Sequence, residues 1–385
     1  MRLEGFNKKT GLFIIIYHSL LAIACAIYFT FCIPSLALIV SSFALFFITT
    51  LSVTAGYHRY FSHCTYKSTP LVETVLLFFS SAASQASALR WSFEHRLHHA
   101  FVDTDRDPYS VKKGFWHAHI LWLFKKPAPI DTKVVSDLVK NPRVQFQHKY
   151  YLTCMLGSNI ILFLLMGWLL NDFVGAFILG WWGRLFVSHH STWCINSLAH
   201  MWGSRYFSKE QSAVDNYIIS LITCGEGYHN YHHAFATDYR NGIRWYHFDP
   251  TKWLIWTLSK LGLASNLKRM DQLHVKERMV TESKRELMEA IQEYVSNSFS
   301  TKKEELNAYA TRISDELSQK LTRLKAVAEE YRAQQSDKAH AGVENLKREI
   351  RFLNKSIQED LKHCRQVTHA LVKGKEHQVA AVIPA

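Results

Sequence analysis

Cysteine is sparse in this chain of 385 residues: there are seven, scattered, with no C-x-x-C pair. That pattern offers neither a zinc knuckle nor a disulfide framework, and it suits a cytosolic chemistry. Proline is scarce too, and none lies between Pro250 and Pro384, so nothing in the last third obliges a helix to end. Acidic residues are outnumbered by basic ones, 32 to 45, which leaves a net charge of +13. Such a balance attracts anionic lipid headgroups or an acidic protein. Nucleic acid is the weaker reading, because the charge is spread along the chain with no recognised nucleic-acid motif.

Charge is absent altogether from two long runs, 12–33 and 35–55, separated by Pro34. A helix needs roughly 20 residues to cross a hydrocarbon core, so each run is long enough. No small-residue cleavage motif follows the first run, and a second apolar run comes directly after it, which argues against a cleaved signal peptide. A second pair of spans is expected at 152–170 and 173–190, joined by Asn171 and Asp172. Arg2, Lys8, Lys9, Arg59, Lys67, Arg143 and Lys149 flank the spans, whereas the turns near Pro34 and Asn171 hold no Lys or Arg. By the positive-inside rule both termini, the segment 56–151 and everything after 190 face the cytoplasm. The stretch 71–89 is also apolar, but Glu73, Gln85 and its Ser and Ala content favour an interfacial or protein-covered helix over a fifth span.

Histidine, by contrast, is plentiful. GEGYHNYHH at 225–233 places His229, His232 and His233 at spacings of three and four, which share one face of a helix. A lone histidine on an apolar face is more often a hydrogen-bonded core residue than a ligand. Here HRLHH at 95–99 repeats the spacing with His95, His98 and His99, and HRYFSH at 58–63 adds His58 and His63. Asn196 and His200, four apart in NSLAH, would share a helical face just after the fourth span. His58 and His63 are five apart, about 140° on a regular helix, so a helix end or bend is expected there. Eight or more imidazoles can satisfy two metal ions with positions left open; iron, copper and zinc all suit them, and spacing does not choose.

HxxxxH at 58–63, HxxHH at 95–99, NSxAH at 196–200 and GEGYHNYHH at 225–233, in that order around two membrane hairpins, resemble the integral-membrane fatty acyl desaturases, above all the Δ9 acyl-CoA (stearoyl-CoA) group. WSFEHRLHH, DTDRDPY and NSLAHMWG extend the resemblance. It implies an all-α membrane enzyme, with two iron ions held almost wholly by histidine and O2 as co-substrate. One iron would take His58, His63, His95, His99 and His232. The other would take His98, His200, His229 and His233, with Asn196 reaching it through a water. A long-chain acyl-CoA would be the substrate, with an acyl-lipid or acyl-carrier protein as other carriers. Trp91, Thr192 and Trp193 would line a bent acyl tunnel, although tryptophan beside a span also serves as an interface anchor.

Ligating histidines normally donate their other N–H to a carboxylate or carbonyl. Of the acids crowding the boxes, namely Glu94, Asp103, Asp105, Asp107, Glu226 and Asp238, Glu94 and Glu226 come first for that role, with Asp105 after them. The chain departs from the animal acyl-CoA enzymes before the second box, where they carry Arg-Asp and this sequence has Phe93 and Glu94. Lys112, Lys113, Lys125 and Lys126 remain to meet the carrier's headgroup. No HPGG haem motif of a fused cytochrome b5 is present, so a separate ferredoxin or cytochrome b5 would bring the electrons.

The membrane domain is expected over 1–275, with a cytoplasmic helical cap formed by 56–151 and 191–275. From about Lys276 the composition turns to Glu, Lys, Gln and Ala, with apolar residues at heptad spacing. Leu306, Ala310, Ile313, Leu317, Leu324, Val327 and Tyr331 form one seam; Leu346, Ile350, Leu353, Ile357 and Leu361 form a second, and Ala339 to Gly342 interrupt them. A helical hairpin or coiled coil over 276–385 follows, either an oligomer or partner contact or a solvated tail folded on the cap. Three other functions compete. A histidine-box hydroxylase or alkane monooxygenase begins with the same C–H cleavage. A metal transporter would carry its histidines in the spans, where only His18 and, at the margin, His189 and His190 lie. A scaffold would have inactive sites. The absence of a long N-terminal extension favours a bacterial inner membrane over the endoplasmic reticulum.

Overall fold

The computed structural model describes residues 5–297, 303–336 and 340–373. Among them α-helix dominates, and the only sheet pairs β1 (Lys67–Ser68) with β2 (Ala264–Ser265), antiparallel. In chain order come α1 (Lys8–Phe31), α2 (Leu36–Ser52), α3 (Pro70–Ala82) and α4 (Ala88–Phe101). Short helices α5 (Phe115–His119), α6 (Ser136–Val139) and α7 (Pro142–Lys149) lead to α8 (Tyr151–Leu170). After α9 (Phe173–Gly175), α10 (Arg184–Asn196), α11 (Tyr217–Ile222), α12 (His229–Ala234) and α13 (Pro250–Lys260) come α14 (Gln272–Asn297), α15 (Lys303–Ser336) and α16 (His340–Val372). They form two units: Met1–Arg205 with Glu210–Arg269, and Tyr206–Lys209 with Met270–Ala385.

In the first unit three helices are long and apolar enough to cross a membrane: α1, α2 with its continuation to Ser62, and α8. Their starts are capped where the sequence allows it, Asn7 accepting from Thr10 N and Ser35 from Leu38 N. Ile23, Phe43 and Trp168 are exposed on them, as suits contact with lipid. The segment expected as a fourth span is helical from Phe173 to Asn196, but a π-helical stretch, Ala176–Gly183, divides it. Arg184, His189 and His190 dilute its apolarity. The Arg184 guanidinium is buried and donates to Thr49 Oγ1, Ala82 O and Asn159 Oδ1, which offsets the cost of burying it where, among the described residues, no carboxylate bonds to it. At 13 residues α3 reaches only about 20 Å, too short for a span. Its Glu73 is buried and accepts from Tyr60 OH (3.1 Å) and Asn141 Nδ2 (2.7 Å), so this face of the helix is covered by protein, while Leu71 and Val75 on the other are exposed.

In the second unit α14, α15 and α16 pack around one core. Leu306, Ala310, Leu317, Leu324 and Val327 of the first seam are buried, with Ile313 and Tyr331 packed at its edge. Leu346, Leu353, Ile357 and Leu361 of the second are buried, with Ile350 beside them. The seams meet a third helix that a two-helix hairpin lacks: Val280, Leu287 and Ile291 of α14 enter the same core. The continuous part of this unit begins at Met270. Asp271 caps α14 ahead of the change in composition, accepting from Leu273 N at 2.9 Å. Of the expected break at 339–342, Ala339 lies outside the described residues, and α16 already starts at His340.

Candidate metal centre and acyl cavity

Val53–Ser62 is π-helical, and His63 N donates to His58 O at 3.1 Å. The wider turn hydrogen-bonds residues five apart, so two rings that an α-helix would hold about 140° apart face the same way. The expected bend is thus a π-turn that ends at His63. Arg96 on α4 fastens it: its guanidinium donates to Phe61 O (2.8 Å) and Ser62 O (3.0 Å) and grips Asp137 (2.7 Å). On α4, capped by Ser87, His95 and His99 stand on one face with His98 beside them. At the start of GEGYHNYHH, Gly225 has φ +101° and packs against Asp249, where a Cβ would collide with the carboxylate. Gly227 presses on the backbone of Asn216 and Ser220, again leaving no room for a side chain. This tight turn delivers α12, whose Tyr231 N donates to Asp215 at 3.0 Å.

The fold gathers nine histidines into two sets, His58, His63, His95, His99 and His232, and His98, His200, His229 and His233. Within each set the candidate ligand atoms lie within 4.8 Å of one another. Nε2 faces Nε2 at 3.0 Å for His58 and His232, 2.8 Å for His63 and His95, and 3.0 Å for His99 and His232. In the second set the contacts are 3.1 Å for His200 and His229, 3.1 Å for His229 and His233, and 3.3 Å for His98 and His233.

Several outer nitrogens already have partners. His58 Nδ1 lies 2.8 Å from Glu226, His98 Nδ1 3.0 Å from Asp107, His200 Nδ1 2.7 Å from Ser212 Oγ and His233 Nδ1 3.0 Å from Gln211 Oε1. A neutral ring that gives its Nδ1 proton outward presents only a lone pair at Nε2, and lone pairs this close repel unless a cation lies among them. Two nitrogens about 2.1 Å from one ion and at right angles are about 3.0 Å apart, so the donor set fits a metal in each cluster. Burial first, then the neighbouring rings, hold His95, His99, His229, His232 and His233 well below the ordinary histidine pKa, which keeps them neutral and ready to ligate.

Glu226 lies behind the His58 ring, and Arg59 and Asp249 secure it. Arg59 is buried between the two carboxylates at 3.0 Å each, and Asn241 Nδ2 donates to Glu226 at 2.7 Å. Burial pushes the Glu226 carboxyl up, but the His58 ring and the Arg59 guanidinium outweigh it and hold it below the usual range. Glu94 does not hold a ring: it lines the cavity 3.7 Å from Arg90, and burial pushes its carboxyl up to about 7. Asp105 is exposed beside Lys113. Asp107 serves His98 instead, and Asp103 reaches His200 through Ser212 Oγ, at 2.5 Å. Asp238 pairs with Arg240 at 2.6 Å.

The expected shared helical face of Asn196 and His200 does not form. The helix α10 ends at Asn196, and His200 comes from the 3₁₀ turn Leu198–His200, fixed by Val214 N donating to Ala199 O at 2.8 Å. Asn196 lines the cavity. Asp249 carries a sequence signal of its own, since FDPTKW has the form of a helix start, with an acid just ahead of proline. Arg59, a charge flanking the second apolar run in sequence, is buried as the link between Glu226 and Asp249.

A cavity of about 1100 Å³ borders both sets, touching His58, His95, His98 and His229. Trp91, Thr192 and Trp193 line it: Trp91 stacks on His95 at 4.8 Å, and Thr192 Oγ1 accepts from Gln85 Nε2 at 2.9 Å. Lys113, Lys125 and Lys126 also line it, whereas Lys112 does not. Beyond the histidines its wall is largely apolar, with Leu156, Phe177 and Trp181.

A family model for fatty acid desaturase matches residues 33–265, the stretch that holds every histidine of both sets. The chain is 43% identical over 240 residues to a probable acyl-CoA desaturase of Schizosaccharomyces pombe, covering 62% of this chain and 50% of that protein. It is 38% identical over 240 residues to acyl-CoA desaturase 1 of Saccharomyces cerevisiae, covering 62% and 47%. With stearoyl-CoA desaturase 5 of Bos taurus it shares 38% over 238 residues, 58% of this chain and 69% of the relative. The chain thus spans about half the length of the two yeast relatives. With a family match over more than half its length, the chain belongs to the fatty acid desaturase family.

Proposed function

We propose that this chain is an oxygen-dependent fatty acyl desaturase that introduces a cis double bond, at Δ9, into a saturated acyl chain carried by CoA. One observation carries the reading: two all-histidine clusters border a single, largely apolar cavity. Relatives named for acyl-CoA and stearoyl-CoA desaturation support the substrate class, and Lys113, Lys125 and Lys126 supply cations for a phosphorylated carrier.

Iron held by His58, His63, His95, His99 and His232, and by His98, His200, His229 and His233 with Asn196 nearby, would draw on dioxygen for an oxidant able to break unactivated C–H bonds. The reaction takes one saturated chain, one O2, two electrons and two protons, and returns one unsaturated chain and two waters. The protein's own part is to hold and to orient. Glu226 and Asp107 keep the Nδ1 protons of His58 and His98 on the outer side, so that both Nε2 lone pairs point inward. Trp91 and the Gln85–Thr192 bond fix the cavity wall beside the clusters, and the apolar lining excludes water while one methylene pair is positioned. Electrons would come from a separate ferredoxin or cytochrome b5 drawn to the basic chain. Four spans, counting Phe173–Asn196, with both histidine sets on the cytoplasmic side complete the proposal.

The test is gas chromatography with mass spectrometry of total fatty acids from a desaturase-deficient host that supplies an electron donor, expressing this chain or its His232→Ala variant. New monounsaturated acids with the unaltered chain alone are expected. Hydroxylated acids would instead make it a monooxygenase, and no product with several donors and carriers would refute the proposal.

A further inference from the structure

Three histidines outside the two clusters stand in a row. His18 of α1 meets His190 of α10, Nε2 to Nε2 at 3.2 Å, and His190 Nδ1 meets Nε2 of His119, on α5, at 3.1 Å. At one end His18 Nδ1 is 2.7 Å from Ile14 O. At the other, His119 Nδ1 is 3.0 Å from Ser197 Oγ, which is 2.8 Å from Trp193 O. His190 offers a different nitrogen to each neighbour, so the row cannot converge on one ion. It has the form of a wire, not of a metal site.

Counting protons shows what the wire lacks. Both ends are backbone carbonyls, which only accept. Five contacts join them, and each needs one proton. Three neutral imidazoles and one hydroxyl own four. The fifth contact closes only when the row carries one further proton, as an imidazolium shared among three rings. Tyr17 and His189 are the titratable groups beside it, with the Arg184 guanidinium behind His189, and among the described residues no carboxylate hydrogen-bonds to the row. Burial pushes His119 below the ordinary histidine pKa, so at rest the row is one proton short.

We propose that His119, His190 and His18 form a proton relay for the desaturation reaction. This rests on the function proposed above, which consumes two protons for each double bond. A hydronium ion gives its proton to His119 Nδ1; His119 passes its Nε2 proton to His190 Nδ1, and His190 passes its Nε2 proton to His18 Nε2. Three N–H bonds form, two N–H bonds and one O–H bond break, and no electron moves. His18, which lines the acyl cavity, then gives a proton to the oxygen being reduced to water there, one N–H bond breaking as one O–H bond forms.

The test compares the iron-loaded full chain in membranes, with its electron donor, against His190→Gln and His119→Gln, which keep a hydrogen bond but cannot carry the charge. Turnover is expected to fall about tenfold or more in each. KM and iron content should stay unchanged, the solvent deuterium effect on kcat should rise, and free imidazole should restore part of the turnover of His190→Gly. In the metal-free protein, infrared difference spectra between neutral and mildly acidic pH should show a broad N–H continuum that both glutamine variants lack. Unaltered turnover and isotope effect in both variants, or no continuum in the unaltered protein, overturns the relay and leaves desaturation standing. A chain that desaturates nothing overturns both.

Discussion

His58 is held from behind by a carboxylate that is itself held. Glu226 lies 2.8 Å from its Nδ1, while Arg59 joins Glu226 to Asp249. Exchanging Glu226 for glutamine keeps the shape but removes the charge that favours an Nδ1 proton and a basic Nε2. Glu226→Gln is therefore expected to weaken iron binding about 10- to 100-fold, read by metal titration against a chelator. Asp137 gives a pH-dependent case. Burial raises its carboxyl, but two bonds from Arg96, 2.7 and 2.8 Å, outweigh that and hold it below its ordinary 3.8. A carboxylate depressed in the folded state contributes stability that is present above the unfolded value and lost as pH falls through the folded one. The melting temperature of the native chain should thus exceed that of Asp137→Asn near neutral pH, and the gap should close below about pH 3.8 in thermal scans.

At the scale of elements, the π-helical stretch Val53–Ser62 decides where the first box points. Deleting the buried Ala55 removes one residue from it, so the wider turn closes towards a regular α-helix, on which residues five apart stand about 140° from each other. His58 and His63 then no longer both face the rings of α4, and bound iron measured by mass spectrometry should fall from the proposed two per chain to about one. In α4, by contrast, the i, i+3, i+4 spacing needs no special backbone, which is why HRLHH could be read directly from the sequence. The NSLAH box could not be, because α10 stops at Asn196 and a 3₁₀ turn, fixed by a bond to Val214 N, carries His200.

At the scale of the whole molecule, the two units have separate cores. Leu317 is fully buried among the three helices of the second, so Leu317→Ala should cost that unit about 2–5 kcal/mol in denaturant unfolding. Iron content of the full chain should not change, since none of the nine clustered histidines lies in that unit.

Local pattern determined much of this protein by itself. Uncharged runs set the three long apolar helices, since length and hydropathy are properties of contiguous residues. The spacing within the boxes marked the histidines as clustered, because most of each box lies within one or two helical turns, and the family resemblance, not the spacing, implied their division into five and four. Tertiary structure decided which of the acids crowding the boxes stand behind the rings and what holds them there. Arg59 and Glu226 are 167 residues apart in sequence and 3.0 Å apart in space, while Glu94, next to a histidine in sequence, turns into the cavity. It likewise decided that both heptad seams share their core with α14, and that His18, His190 and His119 form one row. Contacts of that kind arise when separate helices pack, and no spacing along the chain encodes them.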